Sequence, residues 1–506
     1  MSFDLYLQGL HYFANPMMFV TSFLGVLVGI VFGSLPGLTA TMTIAVFIPF
    51  TFGLDPVVSF AFLLGLYTGA VYGGSISAIL INIPGTPSSI ATGFDGFPLC
   101  QQGRAGEAIG ISTISSAMGG FFSVLVLCVA APLIASIALK FSAEEYVGIT
   151  LIGLSVIAII SPGSTVKGLI GGVLGLILGT FGLDPITSFP RMVFGQAELL
   201  DGIDSIPVMI GVYGVAEMFN QIVKNNHHNV IAQKLDKILP SFHDIKRLVP
   251  TIFRSSLIGT VIGAIPAAGG SIASLVAYGQ EKKFGKNKEL LGTGIIDGVA
   301  APEAANNAST GGALIPMMTL GIPGDPMTAV LMGGLIIQGL RPGPILFQQQ
   351  MPFVSSIFIS LLLSVVFMLV IGLAGARGFS RLITVRKNFL IPSVFIFCLV
   401  GSYAINNSMF DVWILLIAGF GGFMLKQINF SVAPIILGMI LGPLFETNLR
   451  RSLMLSEGNW STFVSRPISL FFLILVVLIL AGPFLLKTIR RPKAACEDET
   501  TEDVRI

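Results

Sequence analysis

The sequence predicts an all-α polytopic membrane protein of about 10–12 transmembrane helices, on three observations. Its 506 residues are 53% hydrophobic and only 11% charged, with a mean hydropathy of +0.87. Ordinary soluble domains carry about 25% charge. Apolar runs such as Pro352–Ala376 and Pro467–Lys487 approach the ~20 residues that a helix needs to cross a bilayer. The third observation is an unusual stretch that occurs twice. Gly73-Gly74-Ser75 leads to Asn82-Ile83-Pro84-Gly85-Thr86-Pro87-Ser88-Ser89, and Gly311-Gly312-Ala313 leads to Gly321-Ile322-Pro323-Gly324-Asp325-Pro326. Both read as a small-residue helix, a sharp Pro-Gly break and a new helix start. Proline and glycine fit the central positions of a type II turn, with glycine at positive φ. Thr86 or Asp325 then serves as N-cap, and Pro87 or Pro326 as the first helical residue. Backbone freed by such a break cannot face lipid, so it must line protein or a watery cavity.

Taken in order, a first span runs from Pro16 to Phe32 and ends in Gly33-Ser34-Leu35-Pro36-Gly37. The start, Met1-Ser2-Phe3-Asp4, lacks the basic region of a cleaved signal peptide, so this span is expected to be retained as the insertion signal. The apolar piece Leu38–Phe52 follows with no polar loop and carries Thr39, Thr41 and Thr43 into the membrane. Asp55-Pro56 then caps and starts the long span Val57–Ile83, which leads into the first break. Phe94–Pro98 and Gln101–Arg104 read as a loop. Three apolar segments follow, near Ile109–Leu139, Val147–Ile160 and Gly168–Thr180. Thr180–Pro185 echoes Thr51–Pro56, which reads as reused capping chemistry. A segment with Asp201, Asp204 and Glu217 leads to Lys224.

Residues 224–250 are the longest polar stretch and the natural hinge between halves. His227-His228 lies there without nearby cysteine or paired carboxylates, so it reads as loop rather than metal site. The second half opens with Thr251–Ile265, a break at Pro266–Gly270, and Ser271–Tyr278. Arg254 lies at the start of this tract and Lys282, Lys283, Lys286 and Lys288 follow it, which puts both flanks in the cytoplasm. Too few residues lie between for two full spans, so the tract reads as a re-entrant hairpin. The tract around Pro36-Gly37 is its partner by analogy. Arg377, Arg381, Arg386 and Lys387 mark a cytoplasmic loop, Lys426 a second, and Lys487, Arg490, Arg491 and Lys493 a cytoplasmic C-terminus. Four spans between the first loop and the tail satisfy these marks, leaving Arg450 and Arg451 outside against the rule. The organisation is then a first repeat with extra helices over 1–223, a polar cytoplasmic loop over 224–250, and a second repeat over 251–376. C-terminal membrane helices fill 377–487, and a charged, disordered cytoplasmic tail fills 488–506.

Several function classes fall away. A net charge of +2 without a large basic patch implies no nucleic-acid partner. Cys100, Cys128, Cys398 and Cys496 are scattered, with neither metal-ligand spacing nor a disulfide framework. Gly279–Asn287 has the wrong spacing and an asparagine where a P-loop needs Ser or Thr, against an ATP-driven pump. Gly321–Asp325 has an intramembrane aspartyl protease flavour, but no partner aspartate is evident, so no catalytic residue is assigned and the chain is not read as an enzyme.

Laid over each other, the halves pair Pro36 with Pro266 at an offset of 230, and Pro84 with Pro323 at 239. Gln102-Gly103-Arg104 answers Gln338-Gly339-Leu340-Arg341. Such an ordered internal repeat, with a hairpin and a Pro-Gly-broken helix in each copy, is a transporter signature. The set Gly33–Gly37, Tyr72–Ser75 through Asn82–Pro87 to Asp95-Gly96, and Pro302-Glu303-Ala-Ala-Asn306-Asn307 through Gly321–Pro326 resembles the large membrane subunit of the bacterial tripartite tricarboxylate transporters. The resemblance covers nearly the whole chain and is weakest after Gly372. It implies a multi-pass inner-membrane protein for secondary transport of citrate-like or related carboxylates, driven by an ion gradient. It also implies two partners, a small four-helix membrane subunit and a periplasmic solute-binding protein. A stand-alone carboxylate symporter or a channel are the alternatives.

A polycarboxylate needs donors and positive potential at the membrane midplane, and helix N-termini supply both without the cost of a buried lysine or arginine. The substrate residues expected are Asn82, Pro84, Gly85, Thr86, Ser88 and Ser89 at the first break, and Gly324 and Thr328 at the second. Thr39, Thr41, Gly269, Gly270 and Ser271 at the hairpin tips close the pocket. A carboxylate facing an anionic substrate needs a cation between them. Asp325, with Asn306 and Asn307, is therefore the expected Na+ or H+ site, with Glu303 and Asp297 as alternatives for proton coupling. No other metal or cofactor is implied. Arg104 and Arg341 read as interface anchors.

Overall fold

The computed structural model describes residues 15–35, 37–160, 164–224, 235, 237–266, 268–382 and 387–489. Pro36, His227-His228 and the tail beyond Ile489 lie outside these residues.

In the first half, α1 (Pro16–Ser34) is capped by Asn15, whose side chain accepts from the Met17 N–H at 3.0 Å. A break leads to α2 (Ala40–Phe47), continued by a tight turn over Ile48–Thr51. Asp55 then caps α3 (Pro56–Ile81), accepting from the Val57 and Val58 N–H groups. After the first Pro-Gly break come α4 (Ile90–Gln101) and α5 (Ala105–Ala138). The expected loop over Phe94–Pro98 is instead part of α4. The Thr86 end starts that helix, and its inner face buries Ala91, Thr92, Asp95 and Leu99.

Next come α6 (Ala143–Ile160) and α7 (Thr165–Leu178), a small hairpin pairing Gly182–Leu183 with Pro190–Arg191, and α8 (Ser205–Val223), which holds a π-helical turn over Ile210–Val215. The echo of the Asp55 cap does not start a helix. Asp184 accepts instead from the Ile186 and Thr187 N–H groups, closing the hairpin turn.

The second half is built from α9 (Phe242–Gly263), α10 (Gly269–Phe284), α11 (Ile296–Leu320), α12 (Pro326–Ile337), α13 (Pro344–Gln349) and α14 (Met351–Leu382). Thus α9 begins inside the stretch read as polar loop, with Ser241 as its cap. The remainder is α15 (Lys387–Asn406), α16 (Met409–Gln427), α17 (Ala433–Leu455), α18 (Thr462–Ser465) and α19 (Pro467–Ile489).

The architecture is all-α and polytopic. Among the described residues, six helices are long and apolar enough to cross a membrane: α1, α3, α5, α8, α14 and α16. The difference from about 10–12 spans has a physical origin. Helices α2, α7 and α12 are apolar but short, and α11 is interrupted by Asp297, Glu303, Asn306 and Asn307. On α5, Phe121, Leu125, Val129, Leu133 and Ile137 are exposed at four-residue steps, which makes one apolar stripe suited to lipid. By contrast, α3 is buried along almost its whole length.

Small residues set how the central helices pack. A Cβ on Gly25, Gly29 or Gly33 of α1 would run into the backbone of Phe62, Leu66 or Ala70 on α3. The rising order on both helices makes the pair parallel. On α9, Gly259 meets Ala305 and Gly263 meets Ser309 of α11 in the same way. The register is repeated: Gly29 and Gly259 differ by 230, and Leu66 and Ala305 by 239. Close backbone approach of this kind is how helices associate in lipid, where no hydrophobic force acts between them. The two pairs run opposite to each other. Proceeding along α3, Ser59 bonds Gln338, Tyr67 bonds Asp325 and Ser75 bonds Glu303. One end of the bundle gathers Arg247, Arg254, Lys282 and Lys283, with Arg254 of α9 paired to Glu281 of α10 across the hairpin.

Candidate functional site

The two breaks share one construction, and it is not the type II turn expected. The left-handed residues are Asn82 (φ 55°) and Gly321 (φ 70°), which end α3 and α11. Gly85 and Gly324 do not have positive φ; they are glycine for want of space. A Cβ on Gly85 would strike the Gly33 carbonyl and lie 2.8 Å from Gly74 Cα, and one on Gly324 would lie 2.6 Å from Ala313 Cα and 2.8 Å from the Gly263 carbonyl. Each Pro-Gly segment therefore folds back against its own helix pair, and the Gly85 N–H donates to the Gly74 carbonyl at 3.1 Å.

Beyond the turns, the caps form as expected. Asp325 Oδ1 accepts from the Thr328 N–H at 2.7 Å, and Thr328 Oγ1 accepts from the Asp325 N–H at 2.9 Å. At the first break the Thr86 N–H reaches Ser89 Oγ at 3.4 Å, and a tight turn over Pro87–Ser89 precedes α4. This chemistry consumes some of the expected donors. Ser89 Oγ donates to the Thr86 and Gly74 carbonyls, and Thr328 Oγ1 bonds within its own turn. Thr86 Oγ1 and Ser88 Oγ bond each other at 3.0 Å.

Three helix starts meet at this level. A Cβ on Gly269 would lie 3.2 Å from Asp325 Cβ, and one on Gly270 would lie 3.2 Å from Ser88 Cβ and 2.7 Å from Asn306 Oδ1. The starts of α10, α4 and α12 therefore converge. From there α4 and α12 diverge to opposite ends of the bundle. Gln102, after α4, donates to the Thr293 carbonyl, whereas Gln338, after α12, donates to the Thr51 carbonyl. Both amide atoms of the buried Asn306 are without a hydrogen-bond partner, as are Asn307 Oδ1, Thr68 Oγ1 and the Tyr213 hydroxyl. Unpaired buried polar atoms are costly, and the Asn306 amide, which lies against Gly270 at the meeting of the helix starts, marks a place prepared for a polar ligand.

The remaining expected residues are placed as follows. Thr39 caps α2, accepting from the Met42 N–H at 3.2 Å; Thr41 and Ser271 are half-buried. Asp325 does not bond Asn306 or Asn307. Its Oδ2 accepts instead from the Tyr67 hydroxyl at 3.1 Å. Asn307 turns toward Ser116, and Asp297 pairs with Arg247 at the basic end.

Glu303 was expected as a coupling candidate, but its hydroxyl cage was not, and neither was the role of Asp95. Glu303 is fully buried and caged by four hydroxyls: Ser75 at 2.5 Å and Thr92 on Oε1, Ser112 at 3.0 Å and Ser116 at 2.9 Å on Oε2. The spacing of Ser112 and Ser116, one turn apart on one face, was the available signal. Asp95 is also fully buried, and accepts from the Tyr278 hydroxyl at 2.9 Å and from the Gly292, Gly294 and Ile295 N–H groups. The Gly292–Ile295 run is a backbone nest, which sequence pattern does not disclose.

A membrane bundle whose half-helices point their N-termini into a buried polar centre has the build of a secondary transporter. The chain belongs to the tripartite tricarboxylate transporter TctA family, whose profile matches residues 19–437. It is 39% identical over 455 residues to an uncharacterized 52.8 kDa protein of the TAR-I ttuC' 3' region of Agrobacterium vitis, covering 90% of this chain and 91% of that one. It is 38% identical over 245 residues to an uncharacterized protein of the TAR-II ttuC' 3' region of the same organism, covering 48% of this chain and all of that one. No solved structure matches.

Proposed function

We propose that the chain is the translocating subunit of a secondary active transporter that moves tricarboxylates, citrate-like, or related organic carboxylates into the cell, coupled to Na+ or H+. In this reading it lies in the bacterial inner membrane with its basic end in the cytoplasm. A periplasmic solute-binding protein feeds it, and a small four-helix membrane subunit accompanies it. The observation that carries the reading is the convergence of the α4, α10 and α12 starts beside the unpartnered amide of Asn306. At about half a unit each, the three N-termini supply roughly +1.5 of positive charge before the Asp325 cap is counted against α12, with the N–H donors that the caps leave free. That suits a multiply charged anion, and it binds less stubbornly than a buried lysine would.

The recurrence of the glycine contacts at 230 and 239, with the two helix pairs antiparallel, supports inverted repeats around this centre. Thr86, Ser88, Gly270 and Asn306 are assigned to the carboxylates. Asp325, held by Tyr67 and Thr328, and Glu303, held by four hydroxyls, are the candidates for the accompanying cation.

The test is counterflow of labelled citrate and other tri- and dicarboxylates in proteoliposomes containing this chain, the small subunit and the binding protein. Thr86→Val and Ser88→Ala are expected to lower counterflow at least tenfold while leaving thermal unfolding intact; unchanged counterflow removes them from the site. A channel would give no acceleration by internal substrate, and full uptake without the binding protein would argue against the tripartite assembly.

A further inference from the structure

We propose that the coupling ion is a proton, and that Glu303 carries it. The proposal rests on the transport reading above and sharpens it from "Na+ or H+" to one ion at one side chain.

Glu303 sits on α11 and is gripped by three helices of the other half: α3 through Ser75, α4 through Thr92, and α5 through Ser112 and Ser116. Every polar partner recorded for its carboxylate is a hydroxyl. Each oxygen receives two donors, which fills the lone-pair sites that a metal cation would need. A metal ion would have to turn hydroxyl hydrogens away from the carboxylate and find room for itself among them, whereas a proton needs only one hydroxyl to rotate. A serine or threonine hydroxyl both donates and accepts, so a protonated Glu303 gives its hydrogen to one of the four. That hydroxyl then turns its own hydrogen to a carbonyl of its helix. Proton gain converts –COO− to –COOH by rotation of one hydroxyl, without moving a helix. A buried carboxylate with no cationic partner has a strong reason to exchange protons, because neutralisation removes the cost of burying charge.

The surroundings leave the assignment to Glu303. On α3 the nearby titratable group is Tyr72, whose hydroxyl is bonded to Thr113 of α5 at 2.6 Å. On α4, Asp95 is turned to the Gly292–Ile295 nest. Arg254 of α9 is paired with Glu281 of α10, and Arg247 with Asp297. Asp325 is held by Tyr67 and Thr328. A link to the substrate region exists on α11 itself. The Asn307 amide donates to Ser116 Oγ at 2.8 Å, and the next residue back, Asn306, lies against Gly270. Filling the Asn306 side is therefore one hydrogen bond removed from the cage.

The test is a pH titration of the full chain in lipid nanodiscs, followed by infrared difference spectroscopy of the carboxylic-acid C=O band. The expected result is a band that titrates in the wild type and in Asp325→Asn, and is lost in Glu303→Gln. Its midpoint should be the same in sodium and in choline chloride. Ser112→Ala with Ser116→Ala should move that midpoint by about one pH unit. A midpoint that shifts with sodium concentration overturns the proposal, as does an unchanged titration in Glu303→Gln. If Glu303→Gln does not fold, the serine pair and the sodium comparison on wild type still decide it. The titration needs no substrate. A chain that transported nothing would fail the counterflow test and could still pass this one, so the two readings fail separately.

Discussion

Replacing Asp95 should loosen a specific set of amides by an amount that depends on how much of the carboxylate is removed. Its Oδ1 accepts from Gly292 at 2.9 Å, Gly294 at 2.9 Å and Ile295 at 3.1 Å, while Oδ2 accepts from Tyr278 at 2.9 Å and shares Gly292 at 3.0 Å. Bonds to a charged acceptor contribute about 1.5–3 kcal/mol each, and neutral ones about 1 kcal/mol. Asp95→Asn can keep the Oδ1 set as neutral bonds and loses the Oδ2 set, a loss of about 1.5 kcal/mol after allowing for overlap. Asp95→Ala strips all of them, about 3 kcal/mol by the same allowance. At 1.4 kcal/mol per factor of ten, exchange of the Gly292, Gly294 and Ile295 amides should quicken about tenfold in Asn and a hundredfold or more in Ala. Hydrogen–deuterium exchange read by mass spectrometry on peptides spanning 290–296 measures this directly. Protection that is equal in the wild type and Ala, or a uniform rise across all helices, would refute the latch.

Three further outcomes follow from the geometry. Gly85→Ala and Gly324→Ala should each cost about 1–3 kcal/mol by overpacking, seen as lower melting temperatures, whereas Gly103→Ala, with nothing within 4 Å of its Cβ, should suffer only from its positive φ. Asp325→Asn should leave the proton dependence of uptake in place while Glu303 is intact; loss of that dependence would move the coupling site from Glu303 to Asp325. The carboxyl of Asp184, outside the spans, is held far below the usual carboxylate range by the Thr187 N–H, then by Arg450 and the Ile186 N–H. Its contribution is thus fully present above the unfolded pKa of about 3.9 and is lost as pH falls further. Amide exchange, corrected for its intrinsic pH dependence, should therefore keep the 182–191 hairpin equally protected from pH 8 to about pH 5 and loosen it only in stronger acid. Arg450→Ala should move that loosening to higher pH.

Much of the architecture was legible because it follows from local rules. Composition announces a membrane bundle, Asp55 and Asp325 announce helix starts, and Arg254 with Lys282 and Lys283 announces a hairpin whose arms return to one end. The errors share a cause. Asn82 was read for its side chain and Gly85 for its φ, yet the left-handed turn falls on Asn82 and the need for glycine at 85 comes from the Gly33 carbonyl, far away in sequence. Likewise Phe94–Pro98 looks like a loop until the partner of Asp95 is known, and that partner lies in the other half of the chain. Glu303 was visible as an isolated intramembrane acid, but its four hydroxyls come from three other helices. Periodicity reports on neighbours along one helix and is silent about which faces meet.

The two half-helices that start at the centre are fastened unequally at their far ends. At the basic end, α4 is tied to the segment before α11 by Gln102 on the Thr293 carbonyl and by the ionisable carboxylate of Asp95 on three N–H groups and a phenol. At the opposite end, the segment after α12 is tied by neutral bonds: Gln338 to the Thr51 carbonyl at 3.0 Å and Ser59 Oγ at 3.1 Å, and the Gly343 N–H to the Met318 carbonyl at 2.9 Å. Bonds to a charged acceptor are roughly twice as strong as neutral ones, so these ties hold the basic end more firmly than the other. Ligand entry to a centre between two such closures requires one of them to part first, and the weaker part at lower cost. Thr86 and Asp325 occupy the same place in the two breaks, and Gln102 and Gln338 the same place beyond them. The difference between the two closures therefore arises less from the breaks than from Asp95, for which the second half has no acid, with Leu331 at the offset of 236 that relates Gln102 to Gln338 and Gly334 at the offset of 239 that relates the breaks.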